Sequence, residues 1–288
     1  MCDEAPPRQA YCWGQNDSGQ VGPSGANPQR TPVAVPGLTN CIRITGGAGH
    51  TCAVRGDTTT VWCWGRNSDG QAGQPASTTP ILTPRQVPNL DGVVDVQAGD
   101  RSTCAQQTGN RIFCWGDNTR GQLGDGTLTS RGAPTRVQNI PGGVTELAVG
   151  RFFACVRFNG RVSCWGENTG SMSGLGPNPI ATPTMIVGID DAEQLRAGHE
   201  HACVLRGTGI VSCWGKNQYG QLGNGNELDS PAPADVLGFV NGTAIASGAV
   251  HTCARTLAGI SCWGENINGQ LGNAGQILSS RPVSVIGF

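Results

Sequence analysis

"VWCWGRNSDGQAG", residues 61–73, sets a cysteine beside a tryptophan, then a glycine, then a polar turn. The phrase returns as "IFCWGDNTRGQLG" (112–124) and "VSCWGKNQYGQLG" (211–223). Cys-Trp-Gly begins at Cys12, Cys63, Cys114, Cys164, Cys213 and Cys262, so the steps are 51, 51, 50, 49 and 49 residues. An Asn stands two residues past each Gly: Asn16, Asn67, Asn118, Asn168, Asn217 and Asn266. Gly-Gln-x-Gly follows in five units, whereas the fourth reads "NTGSMSGLG". Later comes Pro-x-x-Val, as at Pro32–Val35, Pro134–Val137 and Pro282–Val285. From the second unit on, a Gly-x-x-His-like stretch precedes each Cys-Trp-Gly: "GAGHTCAV", "GDRSTCAQ", "GRFFACVR", "GHEHACVL" and "GAVHTCAR".

Each unit offers about four short apolar runs bounded by Gly, Asn and Pro. Runs of about five residues with such punctuation are strands, and no 3.6-residue period competes. Four strands in about 50 residues, repeated, describe the blade of a β-propeller. The expected fold is all-β: one propeller domain over residues 1–288, with six blades of about four antiparallel strands. In "VWCWG", Val61 and Cys63 face one way and Trp62 and Trp64 the other, so both faces carry packing residues. That suits a sheet wedged between two neighbours. There are six Cys-Trp-Gly strands and six Pro-x-x-Val strands but five Ile-x-Ile strands, such as Ile42–Ile44. Either one blade is short or the N-terminus is trimmed. A clasp of both termini in one blade would avoid two open sheet edges.

Trp13, Trp64, Trp115, Trp165, Trp214 and Trp263 occupy one repeat position. A stacking platform for sugars or bases is one use of such rings. A core wedge repeated once per blade is the simpler one. Twelve of the 13 Cys form six pairs, 9 to 11 residues apart: Cys2–Cys12, Cys52–Cys63, Cys104–Cys114, Cys155–Cys164, Cys203–Cys213 and Cys253–Cys262. Opposed residues on a hairpin lie within disulfide reach. Each link over a loop of about ten residues contributes roughly 2–3 kcal/mol in the chain-entropy model. Buried free thiols are the rival; zinc ribbons want Cys-x-x-Cys knuckles, which this sequence lacks. Disulfides place the chain in an oxidising compartment, extracellular, periplasmic or at the cell surface. Cys41 is left over and aligns with Val93 and Val144 as a buried thiol. Cys2 sits in "CDEAPP", which matches "TCAV" only in spacing, and a lipoprotein anchor is its alternative.

At "AGxxHTCA…VxCWGxNxxGQLG…PxxV" the chain resembles the regulator of chromosome condensation repeat family over nearly its whole length. The resemblance implies a circular β-propeller, usually of seven blades, and the paired cysteines are similar to a disulfide-bearing bacterial extracellular branch. Members of that family serve chromatin binding and nucleotide exchange, ultraviolet-B sensing and β-lactamase inhibition, so the fold does not fix the function. A formal net charge of −1 does not suit DNA, and disulfides do not suit a nucleus. A light sensor needs extra tryptophans in the variable turns, and none is there.

Apolar runs stay far short of the ~20 residues that span a bilayer, and "MCDEAPPRQ" has no signal-peptide core. No P-loop, dinucleotide fingerprint or paired-carboxylate motif occurs, so no cofactor and no catalytic residue is assigned. His50, His201 and His251 share one repeat position, which favours a structural hydrogen bond. "GHEH" (198–201) pairs His199 and His201 around Glu200 but offers no third metal ligand, so no metal site is assigned. The two residues inside Gly-x-x-His change from unit to unit: Ala48-Gly49, Asp100-Arg101, Arg151-Phe152, His199-Glu200 and Ala249-Val250. A fixed frame with changing tips is how a rigid scaffold carries recognition. The expected binding face is therefore Asp100, Arg101, Arg151, Phe152, His199 and Glu200, on a non-enzymatic scaffold for a protein partner. A carbohydrate-active enzyme and a structural unit of a surface assembly are the alternatives.

Overall fold

The computed structural model describes residues 8–23, 26–168, 179–275 and 277–287, and the main chain of residues 2–5. Every regular element among them is a β-strand. The chain forms two compact units, residues 1–140 and 141–288, each carrying three sheets of consecutive strands. In the first unit, one sheet holds β1 (Cys2–Ala5), β2 (Gln9–Gly14) and β3 (Gln29–Ala34). The next holds β4 (Cys41–Gly46), β5 (His50–Arg55), β6 (Thr60–Asn67) and β7 (Ser77–Gln86). The third holds β8 (Val93–Ala98), β9 (Ser102–Gln107), β10 (Arg111–Gly116) and β11 (Arg131–Arg136).

In the second unit, β12 (Val144–Val149), β13 (Phe153–Phe158), β14 (Arg161–Gly166) and β15 (Ile180–Met185) form one sheet. The next contains β16 (Ala192–Ala197), β17 (His201–Arg206), β18 (Val211–Gly215) and β19 (Ser230–Asp235). The last contains β20 (Ala244–Ser247), β21 (His251–Thr256), β22 (Gly259–Glu265) and β23 (Leu278–Ser284). All pairings are antiparallel.

Burial explains the sequence pattern. Second and third strands carry the deepest burial: all six residues of β9 and all five of β18 are buried, whereas β21 and β22 of the last sheet are only partly so. The last strand of each sheet is an edge, and its prolines (Pro32, Pro80, Pro84, Pro134, Pro183, Pro231, Pro233, Pro282) fall where a missing N–H costs least. Each letter of Cys-Trp-Gly has a separate job. The cysteine pairs across the hairpin: Cys52–Cys63, Cys104–Cys114, Cys155–Cys164, Cys203–Cys213 and Cys253–Cys262 are disulfides with Cα–Cα distances of 4.0–4.1 Å. Trp64, Trp115, Trp165, Trp214 and Trp263 are fully buried, whereas Trp13, on the three-stranded sheet, is half-buried. The glycine makes a bulge: register shifts between Cys63 and Gly65, and Gly65 has φ +98° with Gly49 O only 2.6 Å from where a Cβ would sit.

The first sheet is the short one, and the clasp expected of the termini is not formed among the described residues. β1 lies in the first sheet and β23 in the sixth. β23 is consumed by β22, through Cys262↔Val283 and Gly264↔Ser279, and so completes its own sheet. Cys2 faces Cys12 in the main-chain register and Cys12 is disulfide-bonded, but the side chain of Cys2 lies outside the described residues. Cys41 is a buried free thiol at the head of β4, as Val93 and Val144 head β8 and β12.

Gly-x-x-His is a two-residue hairpin turn. Its Gly N–H donates to the His carbonyl at Gly47–His50, Gly198–His201 and Gly248–His251, each at 2.8–2.9 Å. The glycine is required for space: a Cβ on Gly198 would collide with the His201 ring that folds back over it. Gly198→Ala should therefore destabilise the chain by roughly 1–3 kcal/mol through overpacking. Gly142→Ala, where a Cβ meets nothing within 4 Å, should stay within about 0.5 kcal/mol. Urea midpoints of the two variants check the contrast.

Candidate functional site

The buried histidines are anchors of the frame. His50 Nε2 lies 2.8 Å from Thr103 Oγ1, on the following sheet, and His201 Nε2 lies 2.9 Å from Thr252 Oγ1. Thr103 and Thr252 spend their hydroxyl protons on the carbonyls of Gln71 (2.8 Å) and Gln221 (3.2 Å). Each hydroxyl has one proton, so the histidine must donate from Nε2. Nδ1 of both rings is then an unprotonated acceptor, buried without a partner. The same Gln carbonyls accept the indole N–H of Trp115 and Trp263, both at 3.0 Å, and Gln20 O accepts Trp64 Nε1 at 2.9 Å. Where a unit has Phe153 in place of histidine, the facing position is Ala202, with no hydroxyl, and the two pack in one apolar cluster.

The Asn-x-x-Gly turns are tied down similarly. Asn118 Oδ1 accepts Leu123 N–H and Asn217 Oδ1 accepts Leu222 N–H, both at 2.9 Å. The Gln side chain caps the same turn, as Gln221 Oε1 does for Tyr219 N–H. What varies sits on this frame. In the second unit the Gly-x-x-His turns are neighbours stitched through their main chains: Arg151 N–H donates to His199 O at 2.8 Å, and His199 N–H to Ala249 O at 2.9 Å. The Arg151 guanidinium lies 4.8 Å from the centre of the Phe152 ring and 3.3 Å from Glu200 Oε1. Phe152 and Glu200 are half-buried, and Arg151 and His199 are exposed. Arg151, Phe152, His199 and Glu200 are thus one contiguous patch.

Asp100 and Arg101 belong to the first unit. Arg101 reaches the Asn-x-x-Gly turn of the preceding sheet and makes a two-pronged contact with Asp69, Nε–Oδ2 2.9 Å and Nη2–Oδ1 2.6 Å. The hydrogen bond that Arg101 donates to Asp69 raises the Arg101 pKa above its ordinary value. Asp69 was not among the residues singled out from the sequence, nor was Lys216, whose main-chain N–H binds Glu200 O at 2.8 Å. The positions between Asn and Gly (Ser68-Asp69, Gln218-Tyr219) vary between units, and that variation was the available signal. His201 does not join His199: its ring is fully buried and committed to Thr252, while His199 is exposed on the turn.

A family model described as the RCC1-like domain matches residues 7–287. The ultraviolet-B receptor UVR8 of Arabidopsis thaliana is 34% identical over 128 residues, 43% of this chain and 29% of the receptor. The human E3 ubiquitin-protein ligase HERC2 is 30% identical over 125 residues, 42% of this chain and 2% of the ligase. This chain therefore spans only a minor part of either relative. Among solved structures, yeast RCC1 (Prp20), crystallised with Kap60 bound, gives a TM-score of 0.84 at 18% identity, over 99% of this chain and 72% of that one. Human WBSCR16 gives 0.84 at 23% identity, over 96% and 76%.

Burial pushes His50 down from 6.5 to about 4 and His201 to about 3, the latter with small repulsions from His251 and His199. At pH 7 both are neutral folded and unfolded. Below pH 6.5 the unfolded chain takes up protons that the folded chain refuses, so stability falls as pH drops toward 4. Between pH 7 and 5 the loss should be roughly 2–4 kcal/mol for the two residues. The double variant His201→Phe/Thr252→Ala, which copies Phe153/Ala202, should remove about half of that slope. Urea unfolding at pH 7, 6 and 5 reads it.

Proposed function

Since the chain belongs to the RCC1-like domain family, and its six sheets are the blades of a β-propeller, we propose that it is a non-enzymatic binding scaffold for a protein partner. The observation that carries this reading is the contrast within each turn. Gly, His, Asn and Gln repeat because they hold the frame, and the residues between them differ. In the second unit these variable residues form a continuous patch of mixed chemistry, with a guanidinium stacked on a ring beside a carboxylate. Arginine and aromatic side chains on a pre-organised frame are common anchors of protein interfaces. Asp100 and Arg101, the latter locked to Asp69, offer a second patch in the first unit.

A near-neutral chain with few charges suits a protein surface better than a nucleic acid. The five disulfides whose cysteines are both among the described residues fit an oxidising environment, and we place the protein outside the reducing cytosol, secreted or at a cell surface. Yeast RCC1 is bound by Kap60, which gives the fold a precedent for protein partners.

The test is a pull-down from the native extracellular fraction with the intact chain, Arg101→Ala, Phe152→Ala and the double variant, all matched for thermal stability. One protein should be retained by the intact chain and lost at least tenfold with Phe152→Ala or the double variant. Equal recovery by all four would sink the proposed patches, and retention of the chain by itself would favour the assembly unit instead.

A further inference from the structure

At the end of β9 away from the turn carrying Asp100 and Arg101, a hairpin turn, residues 108–110, leads into β10, and β11 runs beside β10. Phe113 pairs with Arg136, and Val137 N–H donates to Ile112 O at 2.9 Å, so Arg111 falls opposite Gln138. Arg111 and Arg136 are then diagonal neighbours on one face of the strand pair, roughly 7–8 Å apart at the backbone. They line a recess of about 560 Å³, together with Asn110, Gln138 and Asn139, and no Asp or Glu lines it. Gln138 donates its side-chain amide to Asp125 O at 2.7 Å. The side chains of Arg111, Arg136, Asn110 and Asn139 are exposed and have no hydrogen-bond or ion-pair partner among the described residues.

Other arginines of this unit are neutralised. Arg131, at the head of the same strand as Arg136, lies 2.9 Å from Asp125, and Arg101 is held by Asp69. Arg111 and Arg136 are like charges set side by side without a counter-charge, which costs free energy until an anion joins them. The frame does not ask for either. The equivalent pairs are Thr60 and Gln86 in the second sheet and Ile210 and Asp235 in the fifth, and no other sheet has arginine at both positions. The Cys104–Cys114 disulfide closes this hairpin, so the donors stand on a fixed base.

We propose that this recess binds a sugar that carries a sulfate or phosphate ester. A guanidinium is a planar fork that grips two oxygens at once. One fork satisfies the two oxygens of a carboxylate, whereas an ester of this kind has three terminal oxygens and takes two forks. The recess is far larger than an isolated oxyanion and lies in the size range of small-molecule sites. Asn110 and Asn139 offer amide donors and acceptors to the hydroxyl groups beside the ester. The site is separate from the variable turns and does not depend on them.

The probes are glucose 6-sulfate, glucose 6-phosphate, inorganic sulfate, inorganic phosphate and glucose, each titrated calorimetrically onto the 288-residue chain at low ionic strength. At least one ester should bind 1:1 and more tightly than its inorganic anion, with glucose silent, and the tighter ester names the group. Arg111→Thr and Arg136→Gln copy Thr60 and Gln86 of the second sheet, so both should fold. Each should weaken binding roughly tenfold or more, through loss of a charged hydrogen-bond pair. Arg30→Gln removes the same charge from an exposed position elsewhere and should bind as the intact chain does. The amide resonances of residues 110–112 and 136–139 should move on binding. No saturable binding by either ester, equal binding of ester and inorganic anion, full binding by both arginine variants, or resonance shifts confined to other residues would each overturn the site. The Phe152→Ala variant should bind the ester normally, which keeps this outcome separate from that of the turn patches.

Discussion

One carbonyl oxygen organises each of three joints between neighbouring sheets. The main-chain oxygen of Gln71 receives both the indole N–H of Trp115 and the hydroxyl of Thr103, and that of Gln221 receives Trp263 and Thr252. Gln20 does the same for Trp64 and Thr51. A buried indole is a large apolar body with a single donor that must find an acceptor. The Gly-Gln-x-Gly segment supplies it from the sheet before. The glutamine side chain caps its own turn meanwhile, so one residue fixes both the turn and the joint. The remaining features follow: glycine bulges that let strands approach, histidines that brace the threonine, and asparagines that hold the segment at its depth.

The disulfides act on a different level. They close hairpins within a sheet and never join two sheets among the described residues. Each restricts the unfolded chain locally. Cohesion between sheets is left to indoles, apolar contacts and the shared carbonyl. Reduction should thus loosen individual hairpins before it separates one sheet from another.

Much of this was legible in the sequence because a repeat is its own control. Six copies of Cys-Trp-Gly at a steady step fix strand number, hairpin pairing and the wedge position of the tryptophans. The role of His50 as a structural residue followed from its recurrence, but its partner did not. Thr103 lies 53 residues away, and a contact between repeats leaves no mark on spacing within one. Counting strands gives their number and not their partners: among the described residues β23 pairs with β22 and not with β1. Asp69 escaped notice since it lies in a turn whose flanking Asn and Gly have an evident structural use. The aim of Arg101 across to it depends on the placement of neighbouring sheets.

The matched pairs His50/Thr103, His201/Thr252 and Phe153/Ala202 bear on how such a chain can change over generations. A repeat is not a free module, because one half of each pair is encoded in the next copy. Duplicating, deleting or shuffling a single copy would set a histidine against an alanine, or a phenylalanine against a hydroxyl. Lineages of this protein should therefore gain and lose copies in ways that keep such couples together, and the order of the copies along the gene is part of what selection preserves.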